Sequence, residues 1–128
     1  LDDSVIERVY DLTRGYPYFI HFIMRDLIDL KRAGRITEDF LDECWPKISG
    51  HLRREKFEDE VRSVSPSERK ILFQMAKLPH NEIAPAQIGV NGQGTLLKRL
   101  EKRGLLLKPE RGVYSIYHPL FKEYLRIR

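Results

Sequence analysis

At Gly104 the chain changes its period. Before that point apolar residues recur every three or four positions. Beyond it they run in extended stretches, Leu105-Leu-Leu-Lys108 and Val113-Tyr-Ser-Ile-Tyr117, on either side of the turn-rich Pro109-Glu-Arg-Gly112. The first pattern belongs to amphipathic helices and the second to a two-stranded hairpin. Few small folds place a hairpin directly after a helix that ends in glycine.

The helices leading up to this switch can be read in order. Ser65-Pro-Ser-Glu68 is a helix start, with Ser65 as cap, Pro66 at the first helical position and Glu68 reaching back. Ile71, Leu72, Met75 and Leu78 give that helix a core face, and it ends near Pro79. Next come a short helix over Pro85–Ile88, a turn at Gly89–Gly92 and a basic helix to Gly104. On the basic helix Leu96, Leu97 and Leu100 fall on one side, and Lys98, Arg99 and Lys102 on the other. A last short helix, Pro119 to Leu125, presents Leu120, Phe121 and Tyr124. Three helices and a hairpin make a winged helix-turn-helix, with the basic helix as groove reader and the hairpin as wing.

Residues 1–64 read as helices throughout. Val5, Ile6, Val9, Tyr10 and Leu12 form one apolar face, which stops at Gly15, and Pro17 opens the next helix. That helix, Tyr18 to about Arg32, is apolar on most of its circumference, which leaves Tyr16, Tyr18, Phe19, Phe22 and Ile23 as candidates for an open face. Thr37 caps a third helix ending near Trp45-Pro46. A fourth runs from about Lys47 to Val64 with a break at Gly50, its carboxylates over Glu55–Glu60 paired with neighbouring cations. The fold class is therefore mainly α: a helical bundle over residues 1–64, then a winged helix over 65–128.

Charge divides at the same place. Residues 65–128 carry twelve Lys+Arg against five Asp+Glu, and residues 1–64 carry eleven against fourteen. The basic stripe makes double-stranded DNA the expected partner, through Lys98, Arg99, Lys102, Arg103 and Arg111. The alternative is a protein-docking or self-association module whose basic face is merely solvated. Cys44 is the single cysteine, so neither an internal disulfide nor a cysteine-based zinc cluster can form. His21, His51, His80 and His118 have no ligand spacing, and His118 before Pro119 reads as a cap. Gly89-Val-Asn-Gly-Gln-Gly94 lacks the Lys-Ser/Thr of a phosphate loop, and no nucleophile elbow is present. No catalysis, metal or cofactor is expected of this chain itself, nor any membrane span, and a reducing, cytoplasmic setting is expected. The chain opens at Leu1 in a helical pattern and is expected to be a piece of a longer protein.

The order of these pieces resembles the C-terminal part of prokaryotic, archaeal-type AAA ATPases related to origin-recognition and STAND proteins, over essentially the whole length. The similar stretches are Thr13-Arg-Gly-Tyr-Pro-Tyr18, Phe57-Glu-Asp-Glu-Val-Arg62, Ser65-Pro-Ser-Glu-Arg69, Leu97-Lys-Arg-Leu-Glu-Lys-Arg-Gly-Leu105 and His118-Pro-Leu-Phe-Lys-Glu-Tyr-Leu-Arg126. Arg14 stands where the family has a second glycine. The resemblance implies a helical lid followed by a winged helix, with ATP and Mg bound by a nucleotide-binding domain N-terminal to this chain. It implies that Gly15, Tyr16 and Pro17 lie against that nucleotide, and by position it assigns Arg25 as the residue sensing its phosphate. The lid would then couple nucleotide state to the winged helix.

Overall fold

A computed structural model of the chain describes residues 1–89 and 94–127; of the expected turn at Gly89–Gly92, only Gly89 falls inside them. The described chain is mainly helical, with one two-stranded antiparallel hairpin near its C-terminal end. Two compact units divide it, Leu1–Glu58 and Asp59–Arg128. Among the described residues no helix is long and apolar enough to cross a membrane.

The first unit contains α1 (Asp3–Thr13), α2 (Pro17–Lys31), α3 (Glu38–Leu52) and a π-helical turn, Arg53–Phe57. Buried Thr13 turns its hydroxyl back onto the carbonyl of Val9, 2.7 Å away. Arg14 and Gly15 then take left-handed conformations, φ 54° and 73°, and end α1. Pro17 starts α2, and the Thr37 side chain caps α3 by accepting from the Phe40 N–H at 3.2 Å. Val5, Val9, Ile23, Leu27, Ile36, Leu41 and Ile48 form the core.

The structure corrects two expectations in this unit and narrows a third. Ile6 and Tyr10 are not core residues: they are 50% and 61% exposed. The buried stripe of α1 is Val5–Val9–Thr13, and Ile6 and Tyr10 sit roughly 100° round the helix from it. Of the five candidates for an open face, Tyr16 and Tyr18 are exposed, whereas Phe19, Phe22 and Ile23 are buried. The helix does not end at Trp45-Pro46 or break at Gly50, because α3 runs through both. Leu41, Ile48 and Leu52 are all buried on it, and their packing outweighs the lost amide of Pro46. The irregularity falls instead at Arg53–Phe57, where Glu58 N–H donates to Arg53 O, five residues back. Leu52 and Phe57 would diverge by roughly 140° on an α-helix. The wider turn brings Phe57 against Phe19, ring centroids 5.9 Å apart.

The second unit holds α5 (Pro66–Lys77), a 3₁₀ turn (Pro85–Ile88), α6 (Gly94–Lys102), β1 (Leu106–Glu110), β2 (Val113–Ile116) and α7 (Pro119–Ile127); α4 (Glu58–Arg62) begins at the division. The division comes six residues before the expected boundary at 64/65. Val61 and Val64 are buried, and the Tyr117 hydroxyl donates to Glu60 at 2.7 Å, so residues 59–64 fold with the winged-helix segment. The capping box at Ser65 and Glu68 is present. In the hairpin Leu106 pairs with Ile116 and Glu110 with Val113, with an irregularity between Leu107 and Glu110. Pro109 therefore lies within β1 rather than in the turn, which tightens to Arg111-Gly112 with Gly112 at φ 84°. An edge strand accommodates a proline's missing donor.

Candidate nucleic-acid interface

The basic helix is fixed from beneath and at its end. Leu97 and Leu100 are buried, and α6 closes in a six-residue reverse turn. Leu105 N–H donates to Leu100 O at 3.0 Å and Gly104 N–H to Glu101 O at 2.9 Å, with Gly104 at φ 80°. Buried Leu105 then leads straight into β1, and its carbonyl accepts from Tyr117 N–H at 3.1 Å. On the other side of the hairpin, Ile83 and Tyr114 exchange two backbone hydrogen bonds of 2.8 Å. Helix and hairpin are thereby tied to one frame.

Not every cation of this unit is available to a partner. Arg126 donates to the carbonyls of Ala76 (2.6 Å) and Leu78 (3.0 Å), closing the C-terminal end of α5. Lys122 donates to His80 O (3.1 Å) and Asn81 Oδ1 (3.3 Å). Burial, and then the nearby Arg126 charge, push the Lys122 amine below its ordinary value. Arg69 Nε donates to Val64 O at 3.2 Å. By contrast Lys98, Arg99, Lys102, Arg103 and Arg111 are all exposed. Among the described residues, no ion pair or side-chain hydrogen bond ties any of these cations into the fold. Four lie on α6 or its last turn, and Arg111 is in the hairpin turn. Sequence reading passes over Lys108, exposed on β1 with its ammonium 5.6 Å from the Tyr114 ring centre; its place in the wing is the available signal.

In the first unit, Tyr16 is the N-cap of α2, Pro17 its first residue and Gly15 the left-handed residue before them. The N-cap side chain makes no capping hydrogen bond to this helix start, and the positive end of the helix dipole lies at the turn. Arg25, two turns along, does not lie with these three at the turn itself. It lines a cleft of about 460 Å³ with Tyr18, His21, Phe22 and Glu55. The Lys56 ammonium sits 4.4 Å over the Tyr18 ring. Beside this cleft, His51 Nδ1 and Asp26 Oδ2 lie 2.7 Å apart, a pair linking α3 to α2 that sequence spacing does not reveal. His118 is the expected cap: its Nδ1 accepts from Leu120 N–H at 3.0 Å.

Compared with family models, with curated proteins and with solved structures, the chain matches none.

Proposed function

We propose that the second unit binds double-stranded DNA through Lys98, Arg99, Lys102, Arg103 and Arg111. The observation that carries this reading is the allocation of charge. Arg69, Lys122 and Arg126 hold main-chain carbonyls, while the α6 and hairpin cations face solvent together. A helix with a buried leucine side and an unneutralised cationic side suits the phosphate backbone, and a hairpin cation suits the flanking backbone or minor groove.

The resemblance read from the sequence supplies the wider proposal. The chain is a non-catalytic lid and winged helix from an AAA/STAND-like ATPase, coupling nucleotide state to DNA. Two features support it. Arg14 takes the left-handed conformation that a glycine adopts freely, so its departure from the family's pattern leaves the turn intact. Arg25 lines an open cleft on the helix that starts at this turn. Protein docking is the second reading, favoured by Leu107, a large apolar side chain left exposed on β1.

Titration of a fluorescent duplex of about 20 base pairs with the chain and with K98A/R99A/K102A separates the two readings. DNA binding that collapses in the triple variant supports the first; binding unaffected by it removes the assigned face.

A further inference from the structure

The outward face of α1 is an unpartnered helix face with unusual make-up. Ile6 and Tyr10, one turn apart, are 50% and 61% exposed. The Tyr10 ring lies beside Gly15, where an added Cβ would come within 3.1 Å of it. Alongside run Asp3, Glu7 and Asp11, three exposed carboxylates at i, i+4 spacing, with no ion pair among the described residues. Arg8, the one cation inside α1, is turned away to Asp42 and Glu38 of α3. Like charges at this spacing repel, and an apolar pair beside them gains by being covered.

A complementary face exists on the same kind of chain. Lys98 and Lys102, and Arg99 and Arg103, repeat at the same i, i+4 interval, and Leu107 supplies an exposed apolar side chain on β1. At about 1.5 Å per residue both ladders step by about 6 Å, so carboxylates and ammonium groups fall in register when the two helices lie side by side. We propose that the outward face of α1 docks on the basic α6 and hairpin face of a second copy of this chain. Donor and acceptor faces differ, so the contact is heterologous: copies add head to tail, and the assembly grows with concentration. Such a contact forms whether or not the same basic face also binds DNA.

Sedimentation velocity of the full chain, from about 10 to 500 μM protein in roughly 50 and 500 mM salt, tests it. The expected result is concentration-dependent association at the low salt, weakened by about tenfold or more at the high salt because the pairs are exposed. D3K/E7K makes the α1 face basic like α6, and K98E/K102E turns the Lys98–Lys102 ladder acidic like α1 while Arg99 and Arg103 remain beside it, so like charges oppose along that ladder and each variant alone is monomeric. Mixing the two recreates opposed charges and restores association, which also shows that both variants are folded. A monomer throughout at the low salt overturns the proposal. So does association that either double variant leaves unchanged, or a mixture that stays monomeric.

Discussion

Arg126→Ala tests the division of labour among the cations. In the folded chain this guanidinium holds two carbonyls at the end of α5, with one hydrogen bond part-buried and the other exposed. A part-buried bond to a charged donor contributes about 1.5 kcal/mol net. The exposed bond, discounted for solvent, adds about 0.5 kcal/mol. A cation at a helix C-terminus contributes about 0.5 kcal/mol more. The substitution should therefore cost the second unit about 2.5 kcal/mol. Arg111→Ala removes a cation with no structural partner and should stay within about 0.5 kcal/mol. Arg126→Lys keeps the charge and loses the fork, so it should fall between them. Urea unfolding followed through the amide resonances of Tyr114 and Tyr117 reads this unit, while fluorescence of Trp45 reads the other, since two units need not melt together. Equal losses for Arg126→Ala and Arg111→Ala would refute the reasoning, because the cations could then not be sorted by their contacts.

Three further outcomes are expected at single sites. Gly104→Ala should destabilise the second unit by about 1–2 kcal/mol in the same urea experiment, because nothing crowds the site and the cost is that of φ 80° alone. His118→Ala should lose about 1 kcal/mol with the cap of α7, and His118→Asn, which keeps an acceptor, should recover part of it. Burial, and then the Glu43 charge, raise the Cys44 thiol above its ordinary value, which lowers the thiolate fraction at any fixed pH. Iodoacetamide at about pH 8 should therefore alkylate the folded chain more slowly than the urea-unfolded chain, and equal rates would contradict this.

The second unit is legible in the sequence because its signals are local. A capping box, a proline at the first helical position and a glycine at a helix end each act within a turn of chain, and the structure has them at Ser65, Pro66 and Gly104. Binary pattern cannot rank residues within an apolar face, which is why it places Ile6 and Tyr10 in a core that Val5 and Val9 fill. Proline and glycine read as breaks at Pro46 and Gly50, where burial of Ile48 and Leu52 holds the helix together. The π turn has no local signature; it arises from the need to bring Phe57 onto Phe19. At the candidate interface, the cations and their helical side are plain in the sequence. Periodicity cannot show that Arg69, Lys122 and Arg126 are engaged by backbone carbonyls, two of them by carbonyls far along the chain. That engagement takes three cations of the unit out of reach of a partner and leaves the α6 and hairpin cations exposed.

The salt dependence of DNA affinity tests the central claim most directly. Five phosphate contacts predict a slope of log K against log salt near about −4.5, so affinity should fall by roughly 500-fold between about 50 and 200 mM salt. With Lys98, Arg99 and Lys102 replaced by alanine, Arg103 and Arg111 leave a slope of about −1.8 and a fall of only about twelvefold. A slope that stays the same in the triple variant, or no binding to duplex DNA at about 50 mM salt, would contradict the account.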